Sequence, residues 1–209
     1  MRLGLASPLG NARPSDGVFS AMGPHGLRTA SRVALFVSVL LGASALACSI
    51  GASPPGAGAL PTGARVDRLI AYKGAGRMEA YDGDRLLGTY DIAVGAGGAG
   101  DKQYEGDGRT PEGTYRIDSR HRSRAYHRFL HVSYPNREDR RRYRAARAAG
   151  EVPEGRGIGS AIGVHGTPEG FAGLRAMFNW TAGCIAVTND EAEELYRAVE
   201  DNAVIEIRP

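Results

Sequence analysis

The chain is poor in cysteine: two in 209 residues, too few for a disulfide framework or a four-cysteine zinc site. It also lacks a long apolar run. The stretch Val33 to Leu41 is short for a membrane span, which needs about 20 residues. Excess charge is absent from most of the chain. Four of the 26 basic residues (Arg2, Arg13, Arg28, Arg32) and one of the 23 acidic residues (Asp16) lie in 1–47, leaving 22 of each beyond it. The pI near 9.0 therefore does not point to nucleic acid. A hydrophobic share of 42% with 23% charged residues excludes a disordered polymer and a polytopic membrane protein. Glycine is abundant, 30 residues, and with 11 prolines it favours turns and short strands over a helical bundle.

Residues 1–47 read as a leader. Arg28 and Arg32 precede the apolar run, and Ala45-Leu46-Ala47 supplies a small-residue cleavage site, the pattern of a secretory signal. Cys48 follows directly and resembles the lipidated cysteine of a bacterial lipobox, although Ala45 stands where Leu is usual; ordinary cleavage is the alternative. Residues 48–65, rich in Gly, Pro, Ala and Ser, read as a flexible tether. The expected folded domain is 66–209, and the expected place is the periplasm or cell envelope.

The domain begins with short alternating segments. Strands are expected at 66–72, 77–81 and 86–94, with a hairpin turn at Asp82-Gly83, and further strands at 114–117, 126–133 and 204–207. Asn136 to Ala149 reads as an arginine-rich helix, a solvated face or a surface for anionic wall polymer or lipid. Asp190 to Glu200 reads as a second helix, opened by the capping box Thr188-Asn189-Asp190-Glu191. The fold class expected is mainly β with few helices, a β sandwich.

Gly95 to Gly100 matches GxGxxG, but Pro111 and three more glycines follow where a helix would have to begin, so the dinucleotide reading fails. His127 and His131 would share a metal on a helix. On the strand expected here they lie about 13 Å apart, too far for one ion. His131 remains a candidate for lining a cleft.

Chemistry concentrates in two segments, Ile162-Gly163-Val164-His165-Gly166 and Asn179-Trp180-Thr181-Ala182-Gly183-Cys184-Ile185. A thiolate is a strong nucleophile, and a histidine activates it and relays protons. His165 ends one apolar run and Cys184 opens another, each at a strand–turn junction. Gly183 permits close backbone approach, and amides near Cys184 are candidates for an oxyanion hole. Papain-like enzymes place Cys before His, and caspases separate them by about 50 residues. Here His comes first by 19, and the sortase T-x-T-C signature is absent.

The HG and GCI pair at that spacing, with Gly108-Arg109-Thr110-Pro111-Glu112-Gly113-Thr114-Tyr115, resembles the L,D-transpeptidase catalytic domain, the YkuD family, over roughly 66–208. Ala182 and Ala186 replace the His and Arg of its common S-H-G-C-[IV]-R motif. The run Trp180 to Asn189 and the stretch Ser133-Tyr134-Pro135-Asn136 look instead like the YafK-like murein branch. The resemblance implies a cysteine enzyme on peptidoglycan peptides. Cys184 would form a thioester, His165 would move the proton, and the Gly166 carbonyl would orient the imidazole. Thr181 would line the oxyanion region or cap the turn, and Trp180 would form a cleft wall or anchor the core. No metal or organic cofactor is implied. The implied partners are peptidoglycan, a wall-attached lipoprotein and a membrane through the N-terminal lipid, not nucleic acid. A hydrolase of the same fold and a non-catalytic wall-binding lipoprotein are the alternatives.

Overall fold

The computed structural model describes residues 60–168 and 178–209. The leader, Cys48 and the tether up to residue 59 lie outside the described residues. No described helix is long and apolar enough to cross a membrane.

The alternating segments become an antiparallel meander: β1 (Val66–Tyr72), β2 (Arg77–Asp82) and β3 (Arg85–Asp91). Gly83, at φ 59°, makes the β2–β3 turn without the Cβ penalty another residue would carry. Then come β4 (Gly113–Ser123), β5 (His127–Val132), helix α1 (Arg137–Ala148), β6 (Gly163–His165), β7 (Ile185–Ala186), helix α2 (Asn189–Ala198) and β8 (Val199–Arg208). The strand order is β3-β2-β1-β8-β4-β5-β6-β7. β4 serves both halves, pairing with β8 over Gly113–Arg116 and with β5 over Ile117–Ser123. The mainly β architecture is the one expected, with the two halves sharing this long strand. Leu69, Met78, Tyr90, Leu130, Leu195 and Ile205, all fully buried, lie in its core.

The ends of the order meet. Just past β3, Ala93 exchanges both backbone hydrogen bonds with Ala186 of β7, at 3.0 and 2.8 Å. Thr181 N–H reaches the Val94 carbonyl at 3.2 Å, and Ala96 N–H reaches Thr181 at 2.9 Å. β7 is two residues long, yet it is held on both sides. The glycine-rich 95–100 segment serves packing: a Cβ on Gly95 would stand 2.0 Å from the Gly108 carbonyl. Buried Lys73 pins the neighbouring loop, donating to the carbonyls of Gly100 and Thr110 and to Glu112.

Both helices start as the caps dictate. Asn136 accepts from Glu138 N–H and Asp139 N–H, and Thr188 and Glu191 form the reciprocal capping box. Three expectations need correction. β4 runs on to Ser123, because pairing with β5 carries a polar segment that shows no alternation. Val199, expected in the second helix, is instead its extended C-cap and the first residue of β8. The tether expected through residue 65 is docked from Leu60 onward. The Leu60 amide donates to Glu194 at 2.6 Å, and Leu60 and Ala64 pack against the core, so apolar burial holds these residues to the domain.

Candidate active site

His165 is the last residue of β6, which lies between antiparallel β5 and parallel β7. Phe129 stands opposite it on one side and Ala186 on the other. Val187 N–H donates to the His165 carbonyl at 2.9 Å, so the backbone is fixed beyond the strand end. Side chains alternate along a strand, and Cys184 lies two residues before Ala186. Cys184 and His165 accordingly line one cavity of about 700 Å³, with Tyr126, Phe129, His131 and Trp180 among its walls.

The imidazole is enclosed by aromatic rings. Tyr126 lies 4.3 Å away between centroids, Phe129 stacks at 5.8 Å and 10°, and Trp180 meets it edge-on at 5.9 Å. Its residue is only 2% exposed. Burial pushes the His165 pKa below the ordinary imidazole value, against the opposing pull of the Gly166 hydrogen bond. Nδ1 lies 2.6 Å from the Gly166 carbonyl oxygen. A carbonyl only accepts, so Nδ1 carries the proton and Nε2 of the neutral ring keeps a free lone pair. This is the orienting contact expected of Gly166.

Cys184 sits on a tight turn. Gly183 has φ 134°, and a Cβ there would stand 2.7 Å from the Arg109 carbonyl. The Thr181 hydroxyl accepts from Gly183 N–H at 3.2 Å and donates to the Cys184 carbonyl at 2.7 Å. Burial pushes the thiol pKa up; a backbone hydrogen bond at Gly163 and the positive charge of Lys102 pull it down without reversing the shift. The sulfur donates to the Ala161 carbonyl at 3.5 Å, as a protonated thiol does. Buried Lys102 is paired with Asp107 at 2.7 Å, and Asp107 also accepts from the amides of Gln103 and Arg109. Burial therefore favours the uncharged form of both groups that face this cavity.

Of the two roles expected of Thr181, the hydrogen bonds are those of a turn cap. The Gly183 amide is committed to Thr181, and Thr181 bridges the turn rather than presenting a donor, because the positive-φ turn folds both groups back on themselves. Trp180 and His131 both line the cavity. Sequence reasoning missed Tyr126 as a ring against His165. It also missed Asn189, whose Oδ1 accepts from Thr167 N–H at 2.8 Å behind Gly166. Asn189 stands inside the helix-cap motif, which was the available signal for a fixed position there. His121 and Asp118 left none, since both lie on the polar end of β4.

Residues 66–207 match the family model described as the L,D-transpeptidase catalytic domain, YkuD. No curated protein matches the chain. Among solved structures, the chain is similar to the helical cell shape determining protein Pgp2 from Campylobacter jejuni, at 25% identity over 69% of this chain and 48% of that one, TM-score 0.50. An L,D-transpeptidase from Mycobacterium smegmatis matches at 16% identity over 70% and 60%, TM-score 0.47. One from Xylanimonas cellulosilytica matches at 12% over 71% and 63%, TM-score 0.46. The chain spans less than two thirds of each of these structures.

Proposed function

The chain belongs to the L,D-transpeptidase catalytic-domain (YkuD) family, and from that premise we propose that it is a cysteine acyltransferase acting on peptidoglycan stem peptides. The observation that supports this most is the shared cavity of Cys184 and His165, with the imidazole tautomer set by Gly166.

The proposed cycle uses the neutral pair. Nε2 of His165 takes the thiol proton as sulfur attacks the donor peptide carbonyl. The bond to the leaving amine then breaks, and the imidazolium protonates that amine. The desolvation that disfavours thiolate at rest also disfavours imidazolium, so charge appears only when substrate is present to receive the proton. Water or an acceptor amine resolves the Cys184 thioester. With water, the same site is a hydrolase trimming stem peptides or releasing a wall-attached lipoprotein, as the YafK-like motif suggests. The leader supports export to the cell envelope and lipid anchoring at Cys48, both part of this proposal.

The test is incubation of the purified protein with disaccharide-tetrapeptide muropeptides, with and without an amine acceptor, read by mass spectrometry. A thioester adduct on Cys184 and acceptor-dependent product are expected. An intact donor with no adduct would overturn the proposal.

A further inference from the structure

A second histidine on the same cavity has the geometry of a base and no role in the cycle above. The pairing of β4 with β5 shifts register between Ile117 and Ser119. Asp118 and Ser119 thus stand against a single residue of β5, His131. Such a bulge re-aims a side chain that regular alternation would send to the other face. The result is an Asp118 carboxylate 2.6 Å from Nδ1 of His131. An ionised carboxylate only accepts, so Nδ1 of His131 carries a proton, and whenever the ring is neutral its lone pair is on Nε2. Of the three histidines that line the cavity, His165 and His131 are anchored through Nδ1, one by a carbonyl and one by a carboxylate, with the Phe129 ring 5.8 Å from His165 and 6.4 Å from His131.

Register relates His131 to the nucleophile. His131 pairs with Gly163 of β6, and the parallel pairing Val164 to Ile185 puts Cys184 beside Gly163 on the other side. His131, Gly163 and Cys184 form one row across three chain segments. At about 4.8 Å per strand, the two residues are roughly 10 Å apart at their Cα atoms, and the Phe129 ring lies over Gly163 between them, where a Cβ would meet it at 2.4 Å. His131, Phe129 and Cys184 all line the one cavity, which is the space an acyl group on Cys184 and an incoming acceptor would share. The two histidines differ in access: His165 is enclosed by three rings, whereas the His131 side chain is 30% exposed.

We propose that Asp118–His131 is a second dyad of this site, in which His131 deprotonates the incoming acceptor and Asp118 positions it, while His165 serves acylation. This rests on the acyltransferase reading above. In the step assigned to it, the acceptor nitrogen or oxygen attacks the thioester carbonyl carbon, and its proton passes to Nε2 of His131. The carbon–sulfur bond then breaks, its electron pair leaves with Cys184 as thiolate, and His131 returns the proton through solvent to the sulfur.

The experiment separates the two half-reactions in the full chain, with disaccharide-tetrapeptide as donor and diaminopimelate as amine acceptor. Acylation is followed by rapid quench and intact mass, and the acceptor step by product formation. His131→Gln should slow the acceptor step by about 100-fold, the lower end of general-base effects. Acylation should slow much less, so acyl-enzyme accumulates. Asp118→Asn should lower kcat of the acceptor step without raising donor KM. Added imidazole should restore part of the acceptor step to His131→Gly, which a merely structural role would not allow. Equal slowing of both steps, unchanged partitioning in His131→Gln, or no imidazole rescue would overturn the dyad alone. Absence of any acyl-enzyme in the wild type would overturn the acyltransferase reading and the dyad with it.

Discussion

Replacing Thr181 by valine tests what holds the Cys184 turn in place. The hydroxyl is buried and makes two hydrogen bonds within one turn, to Gly183 N–H and the Cys184 carbonyl. Valine keeps the volume and β-branching, so no cavity term enters. It leaves one donor and one acceptor without a partner, each costing about 1–3 kcal/mol when buried. Relaxation of a shared turn makes the two less than additive, giving about 2–4 kcal/mol. At about 3 °C per kcal/mol for a domain of this size, the melting temperature should fall by about 6–12 °C. Thr181→Ser keeps the oxygen and should recover most of the difference. The check is thermal unfolding of the three proteins, with iodoacetamide labelling of Cys184 below the transition. A valine variant melting within about 2 °C of wild type would show that the hydroxyl does not hold the turn.

Cys184→Ala should remove all turnover, a loss of several orders of magnitude, while the protein still unfolds cooperatively; residual activity in the purified variant would refute the nucleophile. Gly183→Ala should destabilise by more than about 2 kcal/mol, since φ 134° and the Arg109 carbonyl both oppose a Cβ; chemical denaturation measures it, and a neutral result would refute the turn geometry. For His165 the folded pKa is lowered, so as pH falls below about 6.5 the unfolded chain takes up the proton first. Stability should therefore fall with acid from that point until the buried imidazole also protonates, and be insensitive to this group above it. His165→Gln should flatten that limb, and identical acid dependence in both proteins would refute the burial argument.

Much of this was legible because it is local. Alternation located β1 and β2, Asp-Gly located their hairpin with β3, and Thr188 with Glu191 located α2. The His-Gly and Gly-Cys segments were recognisable because strand ends and glycines bracket the reactive residues. What stayed hidden depends on pairing. The bulge at Asp118 is a property of two strands together, so neither Asp118 nor its contact with His131 has a signature in β4 alone. The helical stripe at Ala192 and Leu195 reaches Val199 in phase, yet pairing with Val66 draws that residue into β8. The bond between Ala93 and Ala186 joins residues far apart in sequence, which no window sees.

That last bond, with the central place of β8, has a consequence for the order of assembly. β8 follows every other described strand in sequence, yet it lies between β1 and β4 and is the element that joins the β1–β3 meander to the β4–β7 half. Until it inserts, the segment after β3 has no fixed partner in β7, and the turn bearing Cys184 lacks one of its two supports. Such long-range pairing forms late and slowly, because loop closure must precede its reward. The β6–β7 pairing that sets Cys184 against His165 belongs to the half that β8 ties to the meander.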